Sequence, residues 1–433
     1  MTVPKVVGVA YGGGHANVVI PVLQELQHRG FETTLIALTS AGPQARRMGI
    51  AHKGYVDYMH LIDRARAEEL GQPQAQAIHN ESSGIAFSET LAYIGANLLE
   101  NHQAFGRDMA ELAFQKASRH SFLPVELFKK ILAAEEADLV LATNSPRSEK
   151  AALIAAQEMG VPSVRVEDLY GVPNLHESVR EQLGADLYAQ TVGRKTLTPT
   201  RICFMCDYAR QNFIAKQTAW DVQGVTEENS VVTGQPVFAA IDEVVKTPPA
   251  FDLITSDPAL PTITWAHQNV TPDGDAVFQM LAAWHRDHGH KYRFIVKVHP
   301  NMTPEGIAAV ESHFHSSSGA IRFIHSQVPP NDVLWNSHLV MAQESTMLTQ
   351  AAYMERPVII LDPQYLRQDS AFVVCEAAPI VRTQDQLEEA ISGLLDQGST
   401  LRQKFREGLR TLGYKKNGIQ NVADVAQDLL AHR

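Results

Sequence analysis

Apolar positions along this chain fall into short unbroken runs separated by longer stretches with helical spacing, an alternation that predicts parallel strands joined by helices. In Leu339 to Asp362 a strand (Leu339 to Ala342), a polar turn (Glu344, Ser345, Thr346), a short helix to about Glu355 and a second strand from Pro357 follow in order. Neither apolar run alternates, so both strands are expected to be covered on both faces. A helix starting at Ser345 or Thr346 presents free N–H groups and two hydroxyls above the sheet edge, a place for an anion such as a phosphate. The plainer alternative is that Ser345 only caps the helix.

The chain opens in the same way. Lys5 to Tyr11 predicts a buried strand, Gly12, Gly13, Gly14 and His15 follow, and a helix striped with Val18, Val19, Val22, Leu23 and Leu26 stops at Gly30 before a strand over Thr33 to Leu38. This βαβ unit lacks G-x-G-x-x-G and an acid at the end of its second strand, so it is not the dinucleotide fingerprint. Its glycines let the backbone pass close to a ligand. Arg64 to Ala134 reads as an alanine-rich helical insertion, with helices over Gly84 to His102, Phe105 to Ser118 and Leu123 to Ala134, either one wall of a cleft or a layer on the sheet. Asp138 to Ala142 returns to a strand, and Ser145-Pro146 reads as a helix start. The strand Ser163 to Val166 delivers Glu167 and Asp168 to its carboxyl end, where ligands of doubly wound sheets bind; alternatively Asp168 caps the turn before Gly171.

Arg201 to Met205 and Ser230 to Val232 complete a first sheet, and the proline-rich, aperiodic Lys246 to Pro261 reads as a linker. The alternation then repeats through strands at Thr262 to Trp265, Phe294 to Val298 and Ile321 to Ile324, with helices at Asp275 to His288, Pro304 to Phe314 and Asp332 to Asn336. The expectation is an α/β protein of two doubly wound, Rossmann-like domains facing across a cleft. Its divisions are an N-terminal acceptor-side domain 1–245 with the insertion 64–134, a linker 246–261, a nucleotide-binding domain 262–420, and a last helix in 421–433 that packs back on the first domain.

Composition narrows the function. A length of 433 residues allows two or three domains, and 45% hydrophobic residues is ordinary globular content. A net charge of -11 argues against nucleic acid, which needs a basic face. The first residues read as a strand rather than a leader, and no run reaches the ~18 apolar residues of a membrane span. Of three cysteines, Cys203 and Cys206 form a C-x-x-C, but they sit in a buried strand and read as core cysteines of a cytoplasmic protein.

Gly12-Gly13-Gly14-His15, Pro21, Leu26 and Arg29-Gly30 resemble the opening of GT-B fold glycosyltransferases, and Thr233-Gly234-Gln235-Pro236 looks like the T-G-N-P leading to their second domain. Ala266-His267, Val298-His299-Pro300-Asn301 and Glu344 to Leu361 are similar to the same half of UDP-N-acetylglucosamine 2-epimerases and of capsule, teichoic-acid and sialic-acid transferases. In those families a histidine-proline motif and a serine/threonine pair hold the phosphate of a nucleotide donor. The chain departs from the epimerases in its glycine turn and in Ser145, where they carry an aspartate, while Glu167 falls on their V-E-A-G glutamate. Gln350 stands where several UDP-sugar enzymes place a ribose-binding glutamate.

The resemblance thus implies a glycosyltransferase moving a sugar from a UDP- or CMP-sugar to an acceptor hydroxyl, with a UDP-N-acetylglucosamine 2-epimerase-type isomerase or a non-catalytic nucleotide-sugar binder as alternatives. The expected base is His15, Asp168 or Glu167, the first for its intrinsic pKa near 6.5, the carboxylates if buried or hydrogen-bonded. His299 is the further catalytic candidate. Nucleotide and phosphate binding are expected at Gly13, Gly14, His267, Lys297, His299, Pro300, Glu344, Ser345, Thr346 and Gln350. Lys297 and His299, two apart on one strand, should face the same side. No D-x-D motif or metal spacing stands out, so no metal and no cofactor beyond the nucleotide-sugar substrate is expected. Expected partners are a nucleotide-sugar donor, a glycan, lipid-linked or protein acceptor, and a second copy of the chain.

Overall fold

The structure is a computed structural model that describes residues 3–171, 175–216, 218–219, 222–249, 253–254, 256–268, 273–299, 302–315, 319–325 and 327–432. The chain divides into two compact units, Met1–Val237 with Lys415–Arg433, and Phe238–Tyr414.

In the first unit the strands are β1 (Lys5–Ala10), β2 (Glu32–Ala37), β3 (Leu139–Ala142), β4 (Ser163–Glu167), β5 (Arg201–Phe204) and β8 (Ser230–Val232), with a small antiparallel ribbon of β6 (Thr218–Ala219) and β7 (Val222–Gln223) between them in sequence. The main sheet is parallel, in the order β2-β1-β3-β4-β5-β8. β3 and β1 beyond Lys5 are apolar without alternation because both faces are covered, and every residue of β3 is buried. The helix Gly13–His28 lays Ala16, Val18, Val19, Ile20, Val22, Leu23 and Leu26 on this sheet. The C-terminal helix Gly418–Ala431 adds Val422, Ala423 and Ala426 to the same core, and Arg29 reaches Asp424 at 2.6 Å. Gly234 sits at φ +82, and a Cβ there would collide with the Lys415 carbonyl, so the T-G-Q-P turn is what lets the returning chain pass.

The insertion is four helices, Arg64–Ile78, Phe87–Phe105, Arg107–Ala117 and Val125–Ala134. The first two cross where Gly71 meets Gly95: a Cβ on Gly71 would lie 2.7 Å from the Gly95 Cα, and one on Gly95 would overlap the Ala67 carbonyl. Backbone cannot yield there as a side chain can. Gly95→Val is therefore expected to destabilise the first unit by about 3 kcal/mol, read as a lowered urea midpoint at unchanged slope; a midpoint equal to wild type would contradict this crossing.

The second unit carries β9 (Thr262–Ala266), β10 (Arg293–Lys297), β11 (Ala320–Ile324), β12 (Leu339–Ala342), β13 (Val358–Leu361) and β14 (Ile380–Val381), parallel in the order β11-β10-β9-β12-β13-β14. Two differences from expectation appear. The division between units falls at Val237/Phe238, ahead of the helix Ala239–Lys246, rather than within 246–261. That helix is tied to the second unit by Asp242, which accepts from the Tyr353 hydroxyl at 2.9 Å, and by Phe238 packing on the Tyr353 ring at 4.2 Å. The return to the first unit comes at Lys415, six residues before 421.

Candidate functional site

Strand order decides where ligands can enter. In the first sheet the chain moves outward from β1 to β2 on one side and from β1 to β3 on the other, and in the second sheet the same reversal separates β9 from β12. Above such switch points the loops diverge and leave a crevice at the carboxyl ends of the strands. Chemistry-bearing side chains gather at both places.

At the first, Gly12 is the N-cap in extended conformation and Gly13, Gly14 and His15 form the opening turn of the helix, not a separate glycine turn. Gly13 N–H donates to Ser40 Oγ at 3.1 Å, and beside Gly14 there is open space. His15 Nδ1 bonds the Thr143 hydroxyl and lies 3.3 Å from Glu149 Oε1. Glu149 is wholly buried, and its carboxylate also accepts from Tyr11 N–H at 2.6 Å, from Thr143 N–H at 2.8 Å and from the Thr143 hydroxyl at 2.6 Å. Burial alone would lower the His15 pKa, but the Glu149 carboxylate, with Asp168 behind it, raises it to about 9. Burial would likewise raise the Glu149 carboxyl, yet His15 and the Thr143 and Tyr11 donors hold it below its ordinary value.

Beside this pair stand the two β4-end carboxylates. Glu167 is buried, paired with Arg165 at 3.0 Å, and the Asn144 amide donates to it and to Asp168, the latter at 2.6 Å. Burial pushes the Glu167 carboxyl up to about 7, against the pull of Arg165. Asp168 is exposed and receives its bond from Asn144. The helix expected from Ser145-Pro146 begins instead at Ser148 (Ser148–Met159), because Arg147 at φ +73 breaks the helical path and Ser145 Oγ turns to the Pro146 carbonyl.

In the second unit a cavity of about 590 Å³ opens between the ends of β9, β10 and β12, within the size range of small-molecule sites. His267, Gln268, Lys297, His299, Glu344, Ser345, Thr346 and Gln350 are among its lining residues, so all but one of the phosphate-site residues expected in this half converge there. Pro300 is the exception and lies outside the described residues. Ser345 Oγ accepts from Met347 N–H at 3.2 Å, so the hydroxyl caps the helix Thr346–Tyr353 and still faces the cavity. Thr346 is exposed to it. Glu344 N–H is taken by the Gln268 amide oxygen, while the exposed Glu344 carboxylate lies 4.0 Å from Arg367 Nε.

Two expectations change here. Strand β10 ends at Lys297, so His299 reaches the cavity from a loop rather than from the same strand face. The Lys297 ammonium is buried and donates to the His325 carbonyl at 2.5 Å; burial lowers its pKa. Burial first, and His299 second, bring His267 down to about 4, so it is a neutral imidazole at pH 7, and its Nδ1 is buried without a partner among the described residues.

Glu149 and Asn144 are the residues that sequence reasoning missed. An acid in the first turn of a helix ordinarily reads as complementing the helix dipole, and nothing local marks Glu149 as the partner of a histidine 134 positions earlier (149 − 15). Among the described residues no three His, Cys, Asp or Glu side chains are grouped to hold a metal, and no helix is long and apolar enough to cross a membrane. Cys203 and Cys206 are buried thiols, and burial pushes Cys203 up to about 12.

No family model and no curated protein sequence matches the chain. Solved structures do. A UDP-GlcNAc 2-epimerase from Neisseria meningitidis bound to UDP-GlcNAc aligns with a TM-score of 0.59 at 14% identity over 99% of this chain and 100% of its own. MurG from Acinetobacter baumannii aligns at 0.55 and 11% identity over 98% of this chain and 99% of its own. The chain has the GT-B fold. A further GT-B neighbour, the S. aureus protein MnaA in complex with UDP, aligns at 0.59 and 14% identity over 99% of this chain and 97% of its own. In GT-B terms the histidine–glutamate pair belongs to the N-terminal Rossmann-like domain and the cavity to the C-terminal one.

Proposed function

We propose that the protein is a metal-independent glycosyltransferase that moves a sugar from a nucleotide-activated donor to an acceptor hydroxyl. The observation carrying this reading is the His15–Glu149 pair, a histidine held by a buried carboxylate whose other lone pairs are occupied by Tyr11 and Thr143. Glu149 stabilises the imidazolium that forms when His15 takes the acceptor's proton, the role an orienting carboxylate plays beside a general base. The leaving phosphate would sit in the second domain's cavity, facing the start of the Thr346–Tyr353 helix and the neutral His267, where fixed dipoles meet its growing charge without reorganising. The UDP and UDP-GlcNAc named for two structural neighbours agree with such a donor.

Purified protein incubated with UDP-, CMP-, CDP- and dTDP-sugars and a cell-envelope glycan extract should release nucleotide; binding and release absent with all four would overturn the reading. A base with a pKa of about 9 is only about 1% neutral at pH 7, so kcat/KM is expected to rise close to tenfold per pH unit until about pH 9 and then level. In Glu149→Gln the burial penalty loses its main offset and keeps only that of Asp168, so the His15 C2–H resonance should titrate well below 9. A midpoint still near 9 would remove Glu149 from this role.

A second reading, isomerisation of the 2-epimerase type, is favoured by Glu167, a buried carboxyl raised to about 7 and joined to Asp168 through Asn144. Deuterium uptake at the sugar's C2 from heavy water, without acceptor, would select it over transfer.

A further inference from the structure

Among the described residues Arg147 has no counter-ion. Its guanidinium lies over the Tyr11 ring at 4.5 Å, its Nη1 donates to His120 Nδ1 at 3.3 Å, and its Nε is buried with no partner among the described residues. Glu149, two positions on, is the nearest acid in sequence, but its carboxylate is committed to His15, Thr143 and Tyr11. Burial, then Arg147 and Arg119, lower the His120 pKa, so its Nδ1 stays an acceptor and the ring carries no negative charge to Arg147. A partly buried guanidinium balanced only by a neutral imidazole and a ring face is costly unless an anion completes it. Arg147 is also the N-cap residue of the helix Ser148–Met159, and its charge is felt at His15.

We infer that Arg147, with His120 beside it, forms a subsite for an anionic substrate group, a phosphate or a carboxylate, next to His15. The planar fork of Arg147 is suited to two oxygens of one such group. The inference rests on the transferase reading only for whose anion it is: a phosphate of the donor or an acidic group on the acceptor. An acidic group on the acceptor would be held so that its hydroxyl meets the base, a donor phosphate would bring the donor beside it, and in either case Arg147 acts as a binding residue.

Inorganic phosphate titrated into the full chain, followed by the His15 C2–H resonance and by calorimetry, tests this. Wild type should bind in the millimolar range with a shift of that resonance. Arg147→Gln should bind at least tenfold more weakly, and Arg147→Lys, which keeps the charge and loses the fork, by an intermediate factor; circular dichroism checks that each is folded. Equal affinity in wild type and in whichever variant folds, or an unmoved His15 resonance at 50 mM phosphate, overturns the subsite. If UDP displaces the phosphate, the anion is the donor's; if both bind together and Arg147→Gln leaves UDP affinity unchanged, it is the acceptor's. Should no nucleotide bind while phosphate binds through Arg147, the transferase reading fails and the subsite stands.

Discussion

Replacing His15 with alanine is expected to lower kcat by a factor of about 10² to 10⁴ while leaving UDP affinity unchanged. The size follows from removing the proton acceptor while the cavity of the second domain keeps its lining intact. The fold should persist, because His15 is only partly buried and its loss leaves Glu149 still bonded to Tyr11 and Thr143. Glu149 then lacks its cation, and its carboxyl should rise toward protonation as burial takes over. Single-turnover nucleotide release with saturating donor, measured beside a calorimetric UDP titration, separates the two quantities. Full turnover in His15→Ala would transfer the base role to Glu167 or Asp168, and Asp168→Asn with Glu167→Gln would then be the variants to measure.

Thr346→Trp is expected to weaken nucleotide binding by more than a hundredfold. Thr346 is exposed, lines the cavity and opens the helix whose N–H groups are proposed to meet the phosphate, so an indole there fills the space the ligand needs. The core beneath belongs to Met347, Leu348, Ala351 and Ala352, which do not move, so melting without ligand should match wild type. Wild type at 100 times its dissociation constant gains about 2.7 kcal/mol from ligand, and the variant should show no such gain. Thr346→Ser, which keeps a hydroxyl and loses a methyl, should bind within a fewfold of wild type. Unchanged binding in Thr346→Trp would leave Ser345 and Thr346 as nothing more than a helix start.

These two residues were legible in the sequence because the signals are local. A glycine-rich strand end followed by a histidine, and a serine-threonine pair after an unalternating apolar run, are each contained within a few positions. Their partners were not. His15 and Thr143 are 128 positions apart, and Tyr11 and Glu149 are 138 apart, so no periodicity links them. Ser145-Pro146 misled in the opposite sense: a good local helix start was overridden when the chain turned through Arg147 at positive φ before the helix began. Lys297 reads in sequence as a phosphate cation, yet its ammonium answers the His325 carbonyl, a backbone acceptor that no residue pattern announces.

By itself, the sequence determined the two runs of covered parallel strands, the helical insertion, and which polar residues follow which strand, because burial on both faces and helix spacing write themselves into neighbouring positions. Only the tertiary structure decided the order of those strands, and with it which loops meet. Placing β3 beside β1 brings Glu149 to His15, and placing β12 beside β9 brings Thr346 to His267. Strand order is a matter of long-range packing and chain crossover, to which local hydrophobic pattern is blind.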